Sequence, residues 1–253
     1  MSEHDRALAA AFDNTAAQFE RAPVQNDPNK LAHLIQVADL PAGGRILDAG
    51  CGPGLVAETL LQAGYRVMGV DLSAEMIARA RKRCARFGDR ASFEQKSLFD
   101  PSLAGPFDGA ISRFVLHHTP DPLAFVRRQV ELLRQGGVLA TCDHTTDPDR
   151  ARRDWHQRIE RARDHTHTSN PTPTEMVDLF IAAGLNQLHL IEDPLELDFD
   201  EWFDRGTPAE DKETVRQWCL SGSSARGYTP QLLPDGRIRI DGWIAIVRGI
   251  KSI

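Results

Sequence analysis

Ile46-Leu47-Asp48-Ala49-Gly50-Cys51-Gly52-Pro53-Gly54 is the stretch that decides the fold class. The apolar run Arg45–Ala49 reads as a buried strand, and three glycines at alternate positions follow it. Glycine lets a backbone turn tightly and approach a ligand with no Cβ in the way. Val56–Ala63 then carries a helical pattern that Gly64 ends. Strand, glycine turn and helix in that order mark the ligand-binding edge of an open α/β sheet. Outward from the turn the alternation continues. Arg66–Val70 reads as a second strand, and Ser73–Phe87 as a helix with Ser73 as its N-cap. Ala91–Gln95 and Phe107–Ser112 are the third and fourth strands. Asp121-Pro122 opens a helix as N-cap and first helical residue, with Leu123, Val126, Val130 and Leu133 as its apolar stripe. Gly136-Gly137 ends that helix, and Val138–Cys142 is a fifth strand. Five strands alternating with helices predict a parallel sheet covered on both faces.

The flanks read differently. Residues 1–44 are helical over Ala7 to Phe19 and Lys30 to Leu40, with Ala22–Asn29 a polar, proline-containing loop between them. Asp149–His167 is charged and helical, and Thr172-Pro173-Thr174-Glu175 is a capping-box pattern opening a helix that Gly184 ends. Leu188–Ile191 and Ile238–Val247 read as strands. The acidic segment Asp193–Leu233, with Trp202 and Trp218, reads as a partly helical cap on the sheet. The expected organisation is a single domain over 1–253: a helical lid at 1–44, a ligand-binding core at 45–146, helical and cap insertions at 147–235, and a C-terminal strand at 236–253.

Bulk composition narrows the partners. The 253 residues carry 30 Lys and Arg against 36 Asp and Glu, a formal net charge of −6 with no long basic run. That argues against nucleic acid as a partner. The acidic start Met-Ser-Glu-His-Asp has no apolar segment of the signal-peptide kind, and no apolar window is long enough to span a membrane. Cys51, Cys84, Cys142 and Cys219 stand far apart with no CxxC spacing, which reads as reduced cytoplasmic thiols.

Two ligand classes compete for the glycine turn. A dinucleotide fingerprint requires Gly-x-Gly-x-x-Gly, whereas here Leu55 stands at the sixth position and the spacing is Gly-x-Gly-x-Gly. Asp48 precedes the turn, a poor neighbour for a pyrophosphate and a good one for the ammonium of S-adenosylmethionine (SAM). Asp71, at the end of the second strand, lies 21 positions after Gly50. An acidic residue at that separation reaches ribose hydroxyls in Rossmann-like folds, although alone it could equally cap the following helix.

Motif, spacing and order together resemble class I SAM-dependent methyltransferases, in particular the ubiquinone/menaquinone-methyltransferase-like branch, over about Phe12 to Gly184. Phe12-Asp13 and Ala16 to Phe19 are similar to that branch's N-terminal lid. Ser97-Leu98 stands where the family usually has Asp-Ala or similar beside the adenine. Phe107-Asp108 and Arg113 to Pro122, including Leu116-His117-His118, match the fourth strand and its loop, and Gly136-Gly137 through Asp143-His144 match the fifth. Trp202 to Pro208 and Val247 to Lys251 resemble a subset of bacterial members. The resemblance implies a Rossmann-like, mostly parallel seven-stranded sheet with an antiparallel strand beside the fifth, and SAM as cofactor. It puts Asp48, Gly50, Cys51 and Gly52, then Asp71, Leu72 and Met76, then Ser97, Leu98 and Arg113 around that cofactor.

Methyl transfer needs an oriented acceptor and usually a base, since the cofactor carries the hard chemistry. The ends of the fourth and fifth strands bring His117, His118, Asp143 and His144 to the cofactor edge. A neutral imidazole can take a proton from an OH or NH nucleophile, and a carboxylate can fix its tautomer. His118 first and His144 second are therefore the expected bases, supported by Asp143 and titrating near pH 6.5. His117, His167 and Phe19 are the expected substrate contacts. His165-x-His167 makes a poor metal signature, so no metal is expected. The expected function is methylation of a small-molecule acceptor, leaning to oxygen with nitrogen or carbon open. The alternatives are a SAM-binding protein with another reaction, such as a cyclisation, and a non-catalytic sensor. A nicotinamide oxidoreductase is disfavoured by the glycine spacing.

Overall fold

The computed structural model describes residues 2–252. Three helices lead, α1 (Glu3–Arg21), α2 (Pro23–Asn26) and α3 (Pro28–Ala38). The alternating core follows as β1 (Arg45–Ala49), α4 (Leu55–Gln62), β2 (Arg66–Asp71), α5 (Ala74–Cys84), β3 (Ala91–Gln95), β4 (Phe107–Arg113), α6 (Pro122–Leu132) and β5 (Leu133–His144). The second half carries α7 (Arg150–Arg163), α8 (Pro173–Ala182), β6 (Leu185–Asp198), α9 (Phe199–Asp204), α10 (Lys212–Cys219), β7 (Thr229–Leu232) and β8 (Ile238–Lys251). Capping chemistry sets several starts. Ser2 and Asp5 form a capping box on α1, Asp27 caps α3, Ser73 caps α5, and Thr172 with Glu175 boxes α8.

The strands lie in the order β3-β2-β1-β4-β5-β8-β6, with β7 on β8. The first five are parallel, and β8 enters antiparallel beside β5. Seven strands were expected; the eighth, β7, lies in the segment expected to be a partly helical cap. Three other expectations change. The strand expected over Leu188–Ile191 runs over Leu185–Asp198, so its end lies in the segment expected to be a cap. The helix opened by Pro122 ends at Leu132, not at Gly136-Gly137, because Leu133 already pairs with Phe107. Pro23–Asn26 is a helical turn inside the expected loop.

Strand alternation sends neighbouring side chains to opposite faces. Ile46 joins a cluster with Ala57, Leu60 and Leu61 on one face, while Leu47 joins Val126, Met176 and Phe180 on the other. Each fully buried aliphatic side chain contributes about 1.5–3 kcal/mol. Registers show where the extra residues go. β5 meets β8 from Val138↔Ile250 to His144↔Ile244, and β7 meets Ile238 to Asp241 on the same edge. β6 follows β8 from Leu185↔Lys251 to Asp198↔Arg239. The β7-β8-β6 ribbon therefore runs on past His144, over the carboxyl edge of the parallel strands. Trp202 and Phe199 from α9 pack with Tyr228, Ile159 and Val215 behind that ribbon, in the same cluster as Ile46. Among the described residues no helix is long and apolar enough to cross a membrane.

Candidate functional site

Gly50, Gly52 and Gly54 have φ of 74°, 50° and 83°, a left-handed region that costs other residues about 1–2 kcal/mol. The first two serve different ends. A Cβ on Gly50 would fall 2.5 Å from Val115 Cγ2, so that glycine lets the turn pack. A Cβ on Gly52 would meet nothing within 4 Å, because Gly52 faces an open cavity.

That cavity holds about 1240 Å³ counted to its mouth. The turn residues Asp48, Gly50, Cys51 and Gly52 line it, as do Asp71, Leu72 and Met76 after β2, Ser97 and Leu98 after β3, and Arg113 at the end of β4. All ten residues expected around a cofactor thus share one space, and Phe19 joins them. Across the cavity lies α1, with His4, Leu8 and Phe12 on its wall.

Two carboxylates dominate the cofactor side. Asp48 is 1% exposed, and its Oδ2 has no hydrogen-bond partner. Burial, with the charge of Asp71, pushes its pKa up to about 7, while the backbone N–H of Ala57 works the other way. Asp71 accepts from the Gly52 N–H (2.8 Å) and the Ser73 N–H (2.9 Å), one to each oxygen. Burial raises its pKa as well. Each oxygen of Asp71 keeps a further acceptor site. Arg113 donates through Nη2 to the Val24 carbonyl (2.9 Å) and through Nη1 to the Gln25 carbonyl (3.1 Å), and its guanidinium lies 4.4 Å from the Phe114 ring centre. This half-buried cation is held by carbonyl oxygens and pins α2 over the site.

The histidines separate into two layers. His118 lines the cavity; His117, His144, His167 and Asp143 do not. His118 Nδ1 lies 3.2 Å from the Thr166 carbonyl, which can only accept, so Nδ1 carries the proton and Nε2 the lone pair. Thr166 Oγ1 also lies 3.2 Å from Nδ1 and sends its own proton to Asp164 at 2.7 Å, which agrees with that tautomer. Burial first, and the charge of His117 second, lower the pKa of His118 to about 3. The expected titration near pH 6.5 is therefore corrected, since water no longer stabilises the imidazolium.

The expected pairing of Asp143 with His118 is corrected too. Asp143 Oδ1 sits 2.5 Å from His117 Nδ1, and the carboxylate also accepts the N–H groups of Leu116 and His144, both at 2.7 Å. Burial works against the charge on both partners, but their contact outweighs it: His117 is held above its usual value and Asp143 below. The 3-10 turn at Leu116–His118 gives the two neighbouring histidines opposite surroundings. His144, the second expected base, stacks on Phe114 with ring centres 4.5 Å apart, and burial lowers its pKa to about 3. His167 Nε2 bonds Gln157 Oε1 at 2.7 Å, outside the cavity.

Phe114 and His4 are site residues the sequence did not flag. Phe114 holds a φ of 59°, strained for a bulky residue, and so sets its ring against both Arg113 and His144. His4 Nε2 donates to the His118 carbonyl at 2.7 Å across 114 positions of sequence, a contact no local pattern encodes.

The sequence matches the family described as methyltransferase domain over residues 24–190. It is 38% identical over 138 residues to a ubiquinone biosynthesis O-methyltransferase of Xanthomonas axonopodis pv. citri, covering 51% of this chain and 58% of the relative. The chain thus spans little more than half the length of that curated relative. Its fold superposes on the YcgJ protein of Bacillus subtilis with a TM-score of 0.79 at 26% identity, covering 89% of this chain and 99% of that one. It also superposes on a Haemonchus contortus phosphoethanolamine N-methyltransferase with a TM-score of 0.69 at 17% identity, over 100% of this chain and 61% of that one. With the glycine turn, the two strand-end carboxylates and the strand order already in hand, the match over 24–190 means that the chain belongs to the methyltransferase-domain family of SAM-dependent enzymes.

Proposed function

We propose that this protein methylates a hydroxyl oxygen of a small-molecule acceptor, with SAM as the methyl donor. The observation that carries this reading is the neutral His118 imidazole, its Nε2 lone pair unspent, in the wall of the cavity that the glycine turn enters. The residues fit SAM: Asp48 has an orphaned acceptor for an ammonium, Gly52 leaves the backbone approach open, and Asp71 has acceptor capacity for ribose hydroxyls. Arg113 supplies a cation for the amino-acid carboxylate. When bound, SAM supplies an electrophilic methyl on sulfur, and the carbon–sulfur bond breaks as the carbon–oxygen bond forms. His118 accepts the hydroxyl proton at Nε2, while Phe12 and Phe19 exclude water. The O-methyltransferase relative supports oxygen as the acceptor atom. The four unpaired cysteines support a cytoplasmic setting, and the net charge of −6 supports a small molecule over nucleic acid.

Turnover with isotopically labelled SAM and a panel of hydroxylated metabolites tests this, read by mass spectrometry as a gain of about 14 units, a methyl replacing hydrogen. An O-methyl product is expected. An N- or C-methyl product overturns the choice of oxygen, and SAM binding with no product across acceptor classes points to a sensor.

Two outcomes follow from the pKa shifts. SAM's ammonium pairs with ionised Asp48, whose free-state pKa is about 7. Affinity should peak between that pH and about 8, where the α-ammonium of SAM itself begins to lose its proton, and fall about tenfold per unit below the Asp48 pKa; Asp48→Asn should remove the acidic slope in calorimetric titrations. His118→Ala should lower kcat about 10²-fold, the weaker end of general-base effects, because a base with so low a pKa is far from matched to neutral pH. Since His118 stays unprotonated above about pH 3, it should give wild-type kcat no acidic limb between roughly pH 5 and 8. An unchanged kcat in the variant, with only KM raised, would reduce His118 to a wall of the pocket.

A further inference from the structure

Among the described residues, α1 contributes no side chain to either hydrophobic cluster. It is held by polar contacts to α5. Asp13 Oδ1 accepts from Ser73 Oγ (2.6 Å) and from the Glu75 N–H (3.1 Å). Glu20 pairs with Arg79 (2.5 Å) and Arg83 (2.8 Å). Asp13 and Glu20 lie two helical turns apart, so one face of α1 carries both anchors. Leu8, Phe12 and Phe19 meanwhile cover the cavity. Partly exposed ion pairs hold a helix far more weakly than a buried core does, and α1 adds to them only the small buried side chains Ala9, Ala11, Thr15 and Ala16 and the His4 bond to the His118 carbonyl, so it can lift without opening either cluster.

Asp13 is not an isolated anchor. Its partner Ser73 donates its backbone N–H to Asp71 Oδ1 (2.9 Å), and Asp71 Oδ2 takes the Gly52 N–H (2.8 Å). One hydrogen-bonded chain, Asp13–Ser73–Asp71–Gly52, thus joins the helix over the cavity to the carboxylate facing the ribose. The charge of Asp13 is also felt at Asp71.

With α1 as the lid expected from the sequence, we propose that Asp13 is the positioning residue coupling its docking to occupancy of the ribose site. The proposal rests on the cofactor reading above. Docking of Asp13 fixes Ser73 and with it the orientation of Asp71; a ribose bound at Asp71 in turn favours the docked Ser73. Linkage makes the effect reciprocal: whatever factor closure adds to cofactor affinity, cofactor adds to closure. Glu20 reaches the glycine turn only at a backbone carbonyl, through Arg83, which donates to Pro53 (3.0 Å), and does not touch the Asp71 carboxylate, so it sets chiefly how tightly α1 closes with or without ligand.

Hydrogen exchange of α1 and calorimetric affinity, both with S-adenosylhomocysteine, separate these roles. In the wild type the ligand should slow α1 exchange tenfold or more. Asp13→Ala should weaken ligand binding three- to tenfold and shrink the ligand-induced protection by a matching factor. Asp13→Asn, which keeps the acceptor oxygen, should recover most of both. Glu20→Gln should speed α1 exchange in both states while preserving the protection ratio. If Asp13→Ala keeps the wild-type ratio, the coupling is overturned and Asp13 is only an anchor. If the ligand binds no variant and not the wild type, the cofactor reading itself falls, and this proposal with it.

Discussion

Gly52→Val should lose SAM affinity by two to three orders of magnitude, roughly 3–4 kcal/mol, while the protein still folds. The Cβ of residue 52 would point into open cavity, so no neighbour has to move in the free protein. The occupied volume is the backbone approach itself, where a rigid glycine turn cannot retreat without disturbing Gly50 against Val115. The left-handed φ of Gly52 adds strain, which costs about 1–3 kcal/mol of stability. Gly64→Val supplies the control. Gly64 has a φ of 95° with nothing within 4 Å of its added Cβ, and it does not line the cavity. It should show the strain and none of the affinity loss. Equal affinity losses in the two variants, or none at Gly52, would remove the glycine turn from the cofactor site.

Asp143→Ala should destabilise the fold by about 3–5 kcal/mol, the usual penalty for stripping one partner from a buried ion pair. The substitution leaves His117 buried without its counter-charge and orphans the N–H groups of Leu116 and His144. Its pH dependence has a defined sign. The Asp143 pKa is depressed by folding, so its contribution is present above the unfolded value near 3.9 and lost as pH falls. The His117 pKa is raised, so its contribution is full below about 6.5 and lost as pH rises through the folded value. Urea unfolding should therefore show the gap between wild type and variant at its widest from roughly pH 4 to 6.5, narrowing at pH 9. A gap below about 1 kcal/mol, or one independent of pH, would mean that the pair is a surface-like contact.

The parallel half of the sheet was legible because its signals are local. Arg45–Ala49 is a short apolar run before a glycine turn, Ala91–Gln95 falls in the strand position of the β–α alternation, and the observed strands have those same bounds. Thr172 and Glu175 announced α8 by the same kind of short-range chemistry. The cap was opaque because its stability is long-range. Trp202 meets Tyr228 and shares a cluster with Ile159, residues far apart in sequence, beside a β6–β8 pairing that is itself long-range and broken between Asn186 and His189. The cofactor residues were readable from their positions at strand ends. The roles of the histidines were not. His117 and His118 are adjacent in sequence, yet the 3-10 turn sends one to Asp143 and the other to the cavity wall. A pKa near 3 likewise depends on burial in the folded chain and on the charge of His117, with the distant Thr166 carbonyl working the other way, and none of this is written in the local sequence.

Calorimetric titration at pH 7 in two buffers of different ionisation enthalpy shows whether SAM occupies the cavity beneath α1 with its ammonium on Asp48. One-to-one binding of SAM is expected, with release of a fraction of a proton as Asp48, whose pKa is about 7 in the free protein, ionises in the complex, and NAD is expected not to bind. Binding of NAD in place of SAM, or SAM binding with no proton release, would contradict that placement.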